Sequence, residues 1–99
     1  MSETYEKSVY YSRIVTVLEN KHLRDVFLVI AEARSLRFNQ ILQKVKVESI
    51  EQLDGYLKEL EYADLIKVRN GPIPGLGLCY LTVNGLSVSD EIEERQIKL

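Results

Sequence analysis

Cys79 and His22 are the only cysteine and the only histidine in the 99 residues, and a thiolate–imidazole pair is the first chemistry they suggest. The sequence sets them in different surroundings. His22 follows Asn20 and Lys21 at the polar start of a helical segment, whereas Cys79 alternates with Leu81 in a β-type run. We read His22 as a solvated imidazole and Cys79 as a small core residue, the ordinary fates of such side chains. A lone cysteine forms no disulfide and no Cys-based zinc site within one chain; its sharper reading is a bond to its twin across a dimer axis. Gly71, Gly75 and Gly77 approach a phosphate-cradling loop, but Pro72 and Pro74 remove amides a phosphate would need and no Lys-Ser/Thr follows. A turn between strands accounts for them better. With no paired carboxylates and no nucleophile elbow, the expectation is a protein without catalytic activity, cofactor or metal.

The remaining chemistry is electrostatic. The net charge of −2 hides an asymmetry: residues 1–47 carry eight basic and five acidic side chains, and residues 48–99 five and ten. Arg34, Arg37, Lys44 and Lys46 lie in a stretch from Ala33 to Val47 that holds no acid, and Lys67 and Arg69 share one face of a strand. Each alone is ordinarily a solvated surface residue; grouped, they are the type of side chain that neutralises phosphates.

These residues must be positioned by a single small domain spanning 1–99, whose 45% hydrophobic content suits a modest core. No apolar run approaches the roughly 20 residues that span a bilayer, and Met1-Ser2-Glu3 lacks a signal-peptide pattern, so a cytoplasmic protein is expected. Residues 5–19 carry Tyr10, Ile14, Val17 and Leu18 in helical register, with Val9 and Tyr11 widening the apolar surface. Leu23, Val26, Phe27, Ile30 and Ala31 then match the template of an amphipathic helix, with Leu28 and Val29 off the stripe. Ser35-Leu36-Arg37 predicts a short edge strand, and Asn39 a cap for a short helix bearing Ile41, Leu42 and Val45.

Ser49-Ile50-Glu51-Gln52 has the form of a capping box and starts a helix whose apolar stripe is Ile50, Leu53, Leu57 and Leu60, flanked by Tyr56. It should end near Ala63-Asp64. Leu65 to Arg69 predicts a strand, Asn70-Gly71 a turn, Pro72 to Gly77 a loop tip, and Leu78 to Val83 a returning strand with Cys79, Leu81 and Val83 on one face. Thr82 or Asn84 can cap a last helix over 85–97, with Leu86, Ile92 and Ile97 as its apolar contacts.

In this order the pieces resemble winged helix-turn-helix transcription regulators of the group containing the HxlR, PadR, ArsR and MarR families, of the small dimeric kind found in archaea and their viruses. Leu36-Arg37-Phe38-Asn39-Gln40-Ile41-Leu42 looks like the lead into the second helix of HxlR-like proteins. Leu57-Lys58-Glu59-Leu60-Glu61-Tyr62-Ala63-Asp64-Leu65-Ile66 is similar to the end of a recognition helix and the start of a wing, with Asp64 where these families usually place glycine. Leu81-Thr82-Val83-Asn84-Gly85 looks like the Leu-Thr-x-x-Gly that closes the wing.

The resemblance implies an α+β, mostly helical fold: a winged-helix core over 22–83, an extra N-terminal helix and a short C-terminal helix. It implies a homodimer joined through Tyr10, Ile14, Val17, Leu18, Leu86 and Ile92, with one recognition helix (about 50–63) per subunit in the major groove and the wing (66–82) on the backbone of double-stranded DNA. Gln52, Gly55, Tyr56 and Lys58 would face bases, and Arg34, Arg37, Lys44, Lys46, Lys67 and Arg69 phosphates. The helix from Ser49 to Asp64 nevertheless holds five acids against Lys58 alone. That composition keeps a second reading open, a protein-interaction adaptor that docks its acidic helix on a basic partner. A small-molecule effector pocket lined by Tyr5, Tyr10 and Tyr11 is no better supported than plain packing.

Overall fold

The apolar stripes find one another around a central helix. The computed structural model describes residues 12–69 and 77–95. Residues 12–19 are helical (α1), followed by α2 (Lys21–Ala33), β1 (Ser35–Arg37), α3 (Phe38–Lys44), α4 (Ile50–Tyr62), β2 (Ile66–Arg69), β3 (Leu78–Leu81) and α5 (Val83–Arg95). Expectations for Tyr5, Tyr10, Tyr11, the loop tip at 70–76 and Ile97 fall outside the described residues.

α2 starts where Asn20 Oδ1 accepts from the His22 and Leu23 amides, and its stripe of Leu23, Val26, Phe27, Ile30 and Ala31 is wholly buried. Leu53, Leu57 and Leu60 of α4 and Ile41 of α3 close on the same core, as do Ile14 and Val17 of α1 and Val88 and Ile92 of α5. Ile50, expected on the α4 stripe, is 59% exposed because it sits at the first helical position, a turn short of the packed layer.

The sheet has the order β1-β3-β2, antiparallel throughout. One cap and one helix boundary differ from expectation, while Thr82, one of the two caps expected for the last helix, is observed as such. Asn39 lies inside α3, which starts at Phe38, and Gln40 Oε1 reaches back to the Arg37 amide at 2.8 Å. α5 starts at Val83, two residues early, because Thr82 is its cap: the Gly85 amide donates to Thr82 Oγ1 at 2.9 Å, while that hydroxyl donates to the Asp64 carbonyl at 2.6 Å. Val83 therefore leaves the strand and is 82% exposed instead of sharing a face with Cys79.

The turn from α4 into β2 is a Schellman cap. The Leu65 amide donates to the Leu60 carbonyl and the Asp64 amide to the Glu61 carbonyl, and both leucines are buried. Asp64 takes the left-handed position at φ 62, in keeping with the resemblance that sets it where related proteins carry glycine, at a cost to a non-glycine residue of about 1 kcal/mol. Arg34, at the end of α2, also has a positive φ, 72°. Helix, turn, helix and β-hairpin in this arrangement form a winged helix-turn-helix, mostly helical, with an added helix at each end. Among the described residues no helix is long and apolar enough to cross a membrane.

Candidate nucleic-acid interface

Strand register gathers the basic residues. Arg37 pairs with Leu78 and Leu78 with Arg69; one step along, Ser35 pairs with Tyr80 and Tyr80 with Lys67. Directly paired residues of antiparallel strands lie on the same face, so Arg37, Lys67 and Arg69 share one side of the sheet. All three are exposed, whereas Leu36, Ile66 and Cys79 on the other side are buried. Arg34 is exposed just before β1, its carbonyl accepting from the Leu81 amide. Lys44 and Lys46 border a groove of about 400 Å³ between α2 and the turn leaving α3, opposite Lys21 and His22. Lys21 was not singled out in the sequence, where a helix-start lysine carries no sign of which turn it will meet. Asp25 and Glu32 also line this groove and temper its positive charge.

On α4 the outward strip is Glu51, Asp54, Gly55, Lys58, Glu59 and Tyr62, all exposed, with Tyr62 at 95%. Lys58 pairs with Asp54 at 3.0 Å one turn earlier, an exposed contact worth about 0.3–0.5 kcal/mol and easily exchanged. Two of the residues assigned to bases lie off this strip. Gln52 is half-buried, its Oε1 accepting from the Glu48 amide at 2.8 Å while its own amide donates to Ser49 Oγ at 3.0 Å. Tyr56 is also half-buried; its ring stacks on His22 with centroids 6.4 Å apart and planes 15° from parallel. Gly55 has nothing within 4 Å of where a Cβ would stand. Its absent side chain serves no packing purpose in this subunit.

Of the residues assigned to a dimer surface, Ile14, Val17 and Ile92 are consumed by the subunit's own core and Leu18 packs against it. Leu86 is exposed, and Val15 and Val83 join it as outward apolar side chains of α1 and α5. A helical stripe marks what must be covered without saying by what, and these two lie outside the stripes. Tyr10 lies outside the described residues.

Cys79 is a free, buried thiol, 1% exposed in the central strand, so a disulfide to a twin would require opening the sheet. Burial pushes its thiol up to about 11, and the Glu61 carboxylate adds to the shift. A thiol whose folded pKa is raised stabilises the fold below its ordinary pKa near 9 and stops doing so as pH climbs through about 11. We expect Cys79→Val to remove a pH-dependent loss on the order of 2 kcal/mol between those values, seen as urea midpoints that fall less steeply than in the parent. Parallel profiles would contradict this. Among the described residues no cluster of His, Cys, Asp or Glu is arranged to hold a metal.

A second groove, about 620 Å³, runs between the α1–α2 corner and the end of α4, lined by Glu19, Leu23, Lys58, Glu59 and Tyr62 among others.

Several solved structures share this fold. NadR in complex with 4-hydroxyphenylacetate superposes with a TM-score of 0.66 at 18% identity, over 95% of this chain and 70% of that one. The disulfide-formed AbfR gives 0.68 at 20% identity, over 94% and 66%. BpsR of Bordetella bronchiseptica, whose DNA binding is regulated by 6-hydroxynicotinic acid, gives 0.63 at 11% identity, over 93% and 71%. At these identities the likeness is one of fold, and the chain spans only 66% to 71% of the length of each. No protein-family model and no curated protein matches the sequence.

Proposed function

We propose that this protein is an intracellular, homodimeric transcription regulator that binds double-stranded DNA sequence-specifically, with α4 in the major groove and the β2–β3 wing on the backbone. The observation that carries the proposal is the basic row across the sheet, Arg37, Lys67 and Arg69 on one exposed face, supplemented by Arg34, Lys44 and Lys46. Regulation of DNA binding in BpsR, a protein of the same fold, adds support. Gly55 and Lys58 are the base-facing residues in this reading, and Gln52 joins them if its carboxamide leaves the Glu48 amide. Leu86, Val15 and Val83 offer apolar surface for the dimer.

The acids of α4 weaken the phosphate attraction on which affinity largely depends, so binding is expected to be modest and steeply salt-dependent. Selection of bound duplexes from a random pool, read with the solution mass, tests the proposal: an enriched, roughly palindromic site and a dimer mass are expected. A pool without enrichment sinks it. The exposed strip of Glu51, Asp54, Glu59 and Tyr62 favours the second reading, an adaptor for a basic protein partner, which a stoichiometric protein complex free of nucleic acid would establish.

Gly55 supplies a second test. A mid-helix glycine costs roughly 1 kcal/mol relative to alanine, and here no neighbour requires it. Gly55→Ala should therefore raise the urea midpoint and weaken the selected duplex, since glycine lets a helix backbone approach a ligand closely. Unchanged affinity would remove Gly55 from the interface.

Two proteins of this fold meet hydroxylated aromatic acids: NadR forms a complex with 4-hydroxyphenylacetate, and 6-hydroxynicotinic acid regulates DNA binding of BpsR. The groove between α1 and α4 suits such acids poorly, because Glu19 and Glu59 line it and its Lys58 is paired with Asp54.

A further inference from the structure

We infer that Asp64 is a positioning residue that ties the reading helix and wing to both terminal helices, an inference that rests on the DNA-binding reading above. Asp64 stands at the joint between α4 and β2, in a left-handed conformation that glycine adopts without penalty. Its side chain is what a glycine there would lack. Asp64 Oδ2 accepts from Asn84 Nδ2 at the start of α5 and lies 4.0 Å from an Arg13 guanidinium nitrogen on α1.

The backbone of the joint is held from the same direction. Thr82 Oγ1 donates to the Asp64 carbonyl, the Thr82 amide to the Leu65 carbonyl at 3.1 Å, and Gly85 lets α5 press against that peptide. The carboxylate is half-exposed, so its ion pair contributes little to holding the chain folded. What it supplies is direction: α1 and α5 meet at one residue, and that residue sets where α4 ends and the wing begins. In a two-fold dimer the separation of the two reading helices must match the half-site spacing. A joint without lateral ties lets each helix swing and blurs that match.

The test uses the full chain and duplexes carrying the selected half-sites at their native spacing, one base pair closer and one farther, plus a single half-site duplex. The parent protein should prefer the native spacing by about tenfold, and Asp64→Gly should cut that preference to about threefold or less. Single half-site affinity should stay within about twofold of the parent, a pattern that general loss of structure would not give. Arg13→Ala combined with Asn84→Ala removes the ties while leaving the residue at 64 untouched, and should reproduce the effect; it carries the test if Asp64→Gly folds poorly. Spacing preference retained in both variants overturns the inference, as does a loss of half-site affinity equal to the loss on full sites. A parent protein that binds no duplex fails the DNA-binding reading instead, and the inference falls with it.

Discussion

Alanine at position 85 is expected to lower the melting temperature by about 15 °C or more, a loss of roughly 3 kcal/mol from a total of about 5–15. A Cβ there would stand 2.0 Å from the Leu65 carbonyl oxygen and 2.7 Å from Leu81 Cδ1. The leucine methyl can rotate away; the carbonyl cannot, because it accepts the Thr82 amide and follows the Schellman cap of α4. Relief would require moving α5 off the joint, which pulls Val88 and Ile92 out of the core. The same substitution at Gly55 is expected to stabilise, so one chain holds two helical glycines of opposite sign, separated by what a methyl group would touch. Thermal melts of the two variants side by side decide the matter, and an 85 variant melting within a few degrees of the parent would refute it.

Removing the basic row should abolish most DNA binding while leaving the fold. Arg37→Ala, Lys67→Ala and Arg69→Ala together are expected to weaken a selected duplex about a hundredfold near physiological salt, and to flatten the salt dependence by roughly 0.9 in log–log slope for each phosphate no longer neutralised. The weakening should be similar for all sequences, since phosphates carry no base identity. Asp54→Asn should act in the opposite direction, several-fold at low salt, by releasing Lys58 and removing a charge of the same sign as DNA. Titrations at several salt concentrations, with circular dichroism to verify folding, give both answers. A triple variant with the parent's affinity and slope would place the DNA elsewhere or nowhere.

Features fixed by neighbours in the chain were legible before the structure. The stripe from Leu23 to Ala31, the Ser49 cap and the edge strand at Ser35–Arg37 are all local matters of spacing, capping and backbone preference. Contacts between distant segments were not. Thr82 ends β3 and starts α5 because its hydroxyl finds the Asp64 carbonyl, and nothing within 78–85 announces that partner. The stacking of His22 on Tyr56 joins α2 to α4, a contact that no spacing along the chain announces. Periodicity identified Ile14, Val17 and Ile92 as apolar contacts but could not say that their own subunit would bury them. The grouping of Arg37 with Lys67 and Arg69 was anticipated through a resemblance; its physical cause, the shared pairing with β3, became visible only with the register.

That register has a consequence for the order in which the molecule is made. Among the described residues β1 and β2 pair only with β3, the last of the three strands. While synthesis proceeds from the N-terminus, the first two strands have no edge to join, and α1 to α4 can pack before any sheet exists. Closing β1 on β3 joins Leu36 to Cys79, a long loop whose entropic cost falls late in folding and slows it relative to a purely helical domain. The row of Arg37, Lys67 and Arg69 is assembled only in that closing step. A nascent chain therefore acquires its basic surface as β3 docks, and a polypeptide stopped short of Leu78 has the charges without the surface.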